Sequence, residues 1–208
     1  MRIIAHRGLW HLPEEQNTLT AIARAFDHGF GIETDIRDCQ GRLVIAHNPP
    51  AGKEPELDQM LALVQGRPLP LALNIKADGL AEGIRTACQR QSIDHWFVFD
   101  MSVPDMRQHV AINNHVYGRM SEVEMAVPWA ERISGIWLDA FDGLWYDASL
   151  LEKLLNAQPA VCVVSAELHN RDTAAQWALL KPYAQREHLI LCTDLPLEAH
   201  RYFGLEAQ

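Results

Sequence analysis

The sequence is short of most features that would assign it to a common function class. Positive charge is scarce: 27 Asp and Glu face 18 Lys and Arg, for a net charge of −9. A basic face for nucleic acid or an anionic membrane is therefore not expected. Acidity does not exclude a phosphate-bearing substrate, because a bound metal and local Arg or Lys reverse the sign at a site. No apolar run approaches the roughly 20 residues of a membrane span. The four cysteines, Cys39, Cys88, Cys162 and Cys192, lie far apart with no Cys-x-x-Cys pair. That spacing excludes a zinc pattern and leaves free, mostly buried thiols in a reducing compartment. There is no Gly-rich dinucleotide turn after the first strand and no Walker loop. Internal repeats, low-complexity segments and linkers are also missing. Strand character begins at Arg2, so no signal peptide is expected and the cytoplasm is the expected location.

What is present is a regular alternation. With 208 residues and a hydrophobic fraction of 48%, one domain spanning residues 1–208 with a sizeable core is expected. Leaving aside a short strand at 43–46, eight strands are predicted, starting at about residues 2, 31, 70, 96, 115, 135, 160 and 189. A helical stretch is predicted after each: 17–28, 56–65, 80–91, 104–112, 123–130, 149–157, 173–184 and 197–203. Runs such as Leu69–Ile75 are apolar but for Asn74, as strands covered on both faces are. Regular strand–helix alternation implies parallel strands with right-handed crossovers. Eight such units close a compact (β/α)8 TIM barrel, at the small end of the usual range. A doubly wound open sheet is the alternative.

The chemistry gathers at predicted strand ends. Phe30-Gly31-Ile32 runs into Glu33-Thr34-Asp35. In a strand, i and i+2 share a face, so the Glu33 and Asp35 carboxylates project together. Such an oxygen pair suits a hard cation, Mg²⁺ or Ca²⁺. The first strand stops at His6-Arg7-Gly8, and the short strand after the turn at Gln40-Gly41 stops at His47. Asn74, Lys76, Asp100, Arg119, Asp139, Glu167, His169 and Asp194 fall at the remaining ends. Barrel enzymes place their active sites at the C-terminal ends of the strands. Two imidazoles, a carboxylate pair and an Arg with a Lys point to phosphoryl chemistry. One His takes the proton from an attacking oxygen and the other supplies one to the leaving oxygen. Arg7 and Lys76 neutralise the charge that develops.

Taken together, His6-Arg7-Gly8, Asn17-Thr18-Leu19, Gly31-Ile32-Glu33-Thr34-Asp35 and Leu43-Val44-Ile45-Ala46-His47 resemble the motifs of the glycerophosphodiester phosphodiesterase family, within the phospholipase C-like superfamily. Leu73-Asn74-Ile75-Lys76 and Thr193-Asp194-Leu195-Pro196 are similar to two later motifs. The resemblance implies a TIM barrel, a divalent cation on Glu33, Asp35 and the position of Asn74, His6 and His47 as acid and base, and Arg7 and Lys76 on the phosphate. It implies a small-molecule phosphodiester, such as a glycerophosphodiester, as substrate and a place in lipid metabolism. Three departures stand out: Gln16 before Asn17-Thr18, Asn48 after His47, and Asn74 where the family carries its third metal carboxylate. An Asn carbonyl ligates without charge, so weakened cation binding is expected. The family's small inserted domain is also reduced to residues 48–56. Two alternatives follow: a metal-independent lyase similar to phosphatidylinositol phospholipases C, or a non-catalytic phosphate-ligand binding relative. A Schiff-base aldolase using Lys76 is a further alternative.

Overall fold

Residues 1–205 are described by a computed structural model of the protein. Nine strands run in chain order: β1 (Arg2–His6), β2 (Gly31–Cys39), β3 (Arg42–Ile45), β4 (Leu71–Ile75), β5 (Trp96–Phe99), β6 (Tyr117–Met120), β7 (Gly135–Leu138), β8 (Val161–Val164) and β9 (Leu189–Thr193). All but β3 are parallel neighbours in the order β5-β4-β2-β1-β9-β8-β7-β6. The two ends of that order meet: Val98 bridges Val116 in parallel, and the Val98 N–H donates to the His115 carbonyl at 2.8 Å. The sheet is thus a nearly closed eight-stranded barrel, joined at β5 and β6 by this one bridge, as the alternation predicts. β3 folds back on β2 as an antiparallel hairpin through Gln40 and Gly41, both left-handed (φ 52° and 78°), the backbone of a two-residue hairpin turn.

Strand alternation divides the apolar runs into two cores. One face of each strand packs under the helices: Ile3, Ile32, Leu71, Leu73, Trp96, Val98, Ile136, Val161 and Leu189 belong to that outer layer. The other face closes the barrel interior with Ile4, Ala72, Phe97, Phe99, Tyr117, Trp137, Cys162, Val164, Ile190 and Cys192. Phe97 stacks on Tyr117 and Phe99 on Trp137, each with ring centroids 3.7 Å apart. Burial of these rings fills the lumen and confines polar chemistry to its rim. Moving two residues further along each inward face gives the rim: from Ile4 to His6, from Gly31 to Glu33 and Asp35, from Ala72 to Asn74 and Lys76, from Tyr117 to Arg119, from Trp137 to Asp139, and from Cys192 to Asp194.

The helices are α1 (Leu19–Asp27), α2 (Leu57–Ala62), α3 (Ala81–Arg90), α4 (Val103–Ala111), α5 (Ala148–Ala157), α6 (Ala174–Leu180) and α7 (Pro196–Phe203). They follow β1, β3, β4, β5, β7, β8 and β9. The helix expected over 123–130, after β6, does not form. Pro128 disfavours helical backbone at Val127 and removes one N–H from the ladder. Instead, Ser121 and Glu124 close a tight turn by reciprocal backbone bonds of 3.3 and 3.1 Å. Val127 then packs straight down on Gly118, where even a Cβ would lie 2.2 Å from its Cγ1. A side chain thus covers the strand where a helix was expected. The expected 173–184 helix is also divided, with Pro182 turning its end into the 3-10 segment Lys181–Tyr183. Among the described residues, no helix is long and apolar enough to cross a membrane.

Candidate active site

The first loop shows why His6, Arg7 and Gly8 occur together. After β1 the chain makes two left-handed residues, Arg7 at φ 57° and Gly8 at φ 91°. Gly8 lies against the start of α1, and a Cβ there would stand 2.8 Å from the Ala21 carbonyl carbon. Only glycine fits both the φ and the space. Arg7 has no such excuse, and a non-glycine residue in this region costs about 1–3 kcal/mol. Its backbone shows what offsets the cost: Arg7 N–H donates to the Glu33 carbonyl at 2.9 Å, and its own carbonyl accepts from Asn17 N–H at 3.0 Å. The turn therefore splices β1, β2 and the entrance of α1 into one frame.

His6 is held on both sides. Its Nδ1 lies 2.8 Å from Asp194 Oδ1, and its Nε2 faces Glu33 Oε2 at 3.8 Å. A carboxylate at Nδ1 fixes the proton there and leaves Nε2 as the unprotonated nitrogen of the neutral ring. Burial works against the imidazolium, but the Asp194 bond and the charges of Glu33 and Asp194 outweigh it and raise the His6 pKa above 6.5. Asp194 is itself anchored: its N–H donates to Glu167 Oε1 at 3.0 Å. The Glu167 carboxylate also accepts from the Thr193 and Ser165 hydroxyls.

Glu33 and Asp35 project to the same face of β2, and both are buried, at 2% and 1% exposure. Burial, then the neighbouring Asp35 charge, pushes the Glu33 carboxyl up to about 7. Asp35 Oδ2 accepts from Asn17 Nδ2 at 2.8 Å, and the carboxylate forms ion pairs with Arg7, whose Nε is 3.3 Å from Oδ2, and Lys76, whose Nζ is 3.4 Å from Oδ1. Asn17, left-handed at φ 59°, also accepts the Thr34 hydroxyl at 2.7 Å. The strand register sets Asn74 directly beside Asp35, and Asn74 Nδ2 points to Asp100 Oδ2 at 3.4 Å.

His47 stands apart. It is exposed, and its Nδ1 meets Asn48 Oδ1 at 3.2 Å. Its backbone is fixed to the site nevertheless. Arg37 clamps the His47 carbonyl with Nε and a terminal nitrogen at 3.1 and 3.0 Å, and the Lys76 carbonyl at 2.9 Å. The structure thus brings His6, Arg7, Glu33, Asp35, Asn74 and Lys76 into one cluster, and leaves His47 on its edge.

Three side-chain oxygens of this cluster, Glu33 Oε2, Asp35 Oδ1 and Asn74 Oδ1, are buried without a hydrogen-bond donor. Unpaired buried oxygens are costly, and three on adjacent strands make a donor set of the right hardness for Mg²⁺ or Ca²⁺. The set holds two charges rather than three. Among the described residues, no three His, Cys, Asp or Glu converge as a metal group.

Sequence reasoning did not single out Arg37, and it placed Asn17 in a motif and Glu167 and Asp194 at the rim without giving them a task. Thr18 caps the start of α1 by accepting from Ala21 N–H at 3.2 Å, which leaves Asn17 free for Asp35 and Thr34. Arg37 acts through carbonyls 10 and 39 residues away, and Glu167 through Thr193 and Asp194, 26 and 27 residues away, which no local pattern announces.

A nearly closed (β/α)8 barrel with its polar side chains collected at the C-terminal rim is the TIM-barrel architecture. Two solved phosphodiesterase structures share it over their whole length. One is a glycerophosphodiester phosphodiesterase from Agrobacterium tumefaciens str. C58, with TM-score 0.71 and 17% identity over 99% of this chain and 100% of that one. The other is an Oleispira antarctica phosphodiesterase in complex with its product sn-glycerol-3-phosphate, with TM-score 0.68 and 17% identity over 99% of this chain and 97% of that one. No protein-family model and no curated protein sequence matches the chain.

Proposed function

We propose that the protein, as one domain, is a phosphoric diester hydrolase acting on a glycerophosphodiester or a similar small diester in the cytoplasm. One observation carries this reading: an imidazole oriented by Asp194 turns Nε2 toward a buried acid pair that Arg7 and Lys76 flank. The shared fold of the two phosphodiesterases supports it.

The substrate phosphate sits against Arg7 and Lys76, which then divide their charge between it and Asp35. His6 Nε2 removes the proton from the attacking oxygen, a water or a substrate hydroxyl beside the phosphate. The new P–O bond forms as the bond to the alcohol breaks. His47 gives its proton to the departing oxygen, and a phosphomonoester and an alcohol result, or a cyclic phosphate when a substrate hydroxyl attacks. Asn17 and Arg7 hold Asp35 in place throughout. A divalent cation on Glu33, Asp35 and Asn74 supplies Lewis-acid polarisation of a phosphoryl oxygen when bound.

Phosphorus NMR of the purified protein with glycerophosphodiesters, with and without EDTA, tests the reading. Release of a phosphomonoester that stops with EDTA and returns with Mg²⁺ or Ca²⁺ is expected, and no turnover under any condition refutes it. Lys76 Nζ beside Asp35 favours one second reading, a cation-free lyase. Its signature is a cyclic phosphate as the final product in the presence of EDTA.

A further inference from the structure

Across the mouth from the acid pair stands a second set of organised side chains that the chemistry above does not use. In the ring of strands, β7 is four steps from β2 in either direction, so the two rim segments face each other. The Cys162 thiol inside the barrel is pushed up by burial first and then by the charges of both Glu33 and Asp139. Glu33 and Asp139 each lie two residues beyond an inward-facing position of their strand, Gly31 and Trp137, so both carboxylates belong to one mouth.

On this far side, three groups form a row. The Arg119 guanidinium carbon lies 5.7 Å over the Phe141 ring. The His169 ring meets the same Phe141 edge-on, with centroids 5.2 Å apart. Each polar member is braced from behind. Arg119 is held by Asp100 at 3.1 Å and by Glu124, and His169 Nε2 by Asp139 Oδ1 at 2.7 Å. Asp139 is 6% exposed and is itself fixed by the Ala140 N–H at 2.8 Å. With the Nε2 proton committed to Asp139, His169 Nδ1 is a bare acceptor, and it has no partner among the described residues.

We propose that this Arg119–Phe141–His169 wall binds an alcohol arm of the diester, with His169 Nδ1 accepting a hydroxyl from it. The inference rests on the phosphodiesterase reading and adds the choice of arm. Arg119 is already neutralised by two carboxylates, so the wall suits a neutral, hydroxyl-bearing arm better than an anionic one. The apolar Phe141 ring takes the carbon chain of the arm, and the fixed imidazole reads its hydroxyl. A site built to pair a hydroxyl discriminates strongly against the analogue that lacks it.

Two probes with the same carbon skeleton test this: di(glyceryl) phosphate and dipropyl phosphate, which differ only in their hydroxyls. The readout is the ratio of their kcat/KM values, in which differences in general competence cancel. His169→Phe keeps a ring against Phe141 but loses the acceptor. It is expected to lower the ratio about tenfold, mainly through KM for the glyceryl diester, and His169→Gln is expected to restore part of it. Asp139→Ala, which removes the imidazole's brace, is expected to lower the ratio in the same direction and covers the case in which the Phe variant does not fold. A ratio within twofold of the parent in the folded variants overturns the inference while leaving the phosphodiesterase reading intact. Absence of turnover in the parent protein overturns both.

Discussion

Replacing Asp194 by Ala removes the partner of His6 Nδ1 while leaving Nε2, the acid pair and both cations in place. The bond lost is a 2.8 Å contact between an imidazole and a carboxylate. A hydrogen bond to a charged group is worth about 1.5–3 kcal/mol, so kcat/KM is expected to fall about ten- to a hundredfold. The pH profile gives a sharper test. His6 acts as a base only when neutral, so the acid limb of kcat/KM reports its pKa. Asp194 raises that pKa in the parent protein, so the limb of Asp194→Ala is expected to move to lower pH even as the plateau drops. Stability carries the same sign. A folded pKa above the ordinary 6.5 gives stabilisation that is complete below 6.5 and lost as pH rises through the folded value. The variant is therefore expected to lose more stability below pH 6.5 than in alkaline buffer, by urea denaturation. An unmoved acid limb, together with a kcat/KM within twofold of the parent, would refute the role given to the His6–Asp194 pair.

Four further outcomes are expected. Glu33→Gln is expected to abolish turnover yet stabilise the cation-free protein at about pH 8. A carboxyl raised from 4.5 to about 7 costs roughly 3 kcal/mol once ionised, and almost nothing at about pH 4; equal melting shifts at both would contradict this. Gly8→Ala, placed at φ 91° and 2.8 Å from the Ala21 backbone, is expected to cost at least about 2 kcal/mol in urea denaturation. His47→Ala is expected to slow turnover about 10²–10⁴-fold without moving the melting temperature, because the ring is exposed and bonded to Asn48 alone among the described residues. Full activity in that variant removes the rim imidazole from the chemistry. Asn74→Asp is expected to tighten Mg²⁺ or Ca²⁺ about tenfold by calorimetry, since a third charge joins the oxygen set; unchanged affinity takes position 74 out of that set.

The barrel was legible because its two signals are local. Apolar runs of strand length and the caps and glycines between them are visible one segment at a time, and eight repeats of strand and helix leave few topologies open. The exception is instructive: 123–130 carries enough apolar residues to resemble a helix, yet Val127-Pro128 opposes it, and the packing of Val127 on Gly118 is a tertiary fact. The near side of the site was legible for the same reason, since Glu33-Thr34-Asp35 and His6-Arg7-Gly8 lie within single segments. The supports were not. Asp194 meets His6 across 188 residues, and Arg37 joins the backbones of His47 and Lys76 through side-chain reach alone.

The inward face of the strands links fold to chemistry. Five rim residues lie two positions beyond a residue that fills the lumen, so the pleat that packs Ile4, Ala72, Tyr117, Trp137 and Cys192 also aims His6, Asn74, Arg119, Asp139 and Asp194 upward. The position is bound to the core by period two, and a one-residue slip would turn the whole site toward the helices. This makes the aromatic floor a positioning element as well as a packing one. Phe99 on Trp137 and Phe97 on Tyr117, at 3.7 Å, lock the height of β5, β6 and β7, and with it the height of Asp100, Arg119 and Asp139. Opposite them, β2 carries no large inward side chain below Glu33, because Gly31 occupies that place against Ile4 and Pro70. The barrel is therefore filled from the β5–β7 side, which leaves its acid pair buried at the rim of β2, with Glu33 Oε2 and Asp35 Oδ1 outside any hydrogen bond among the described residues.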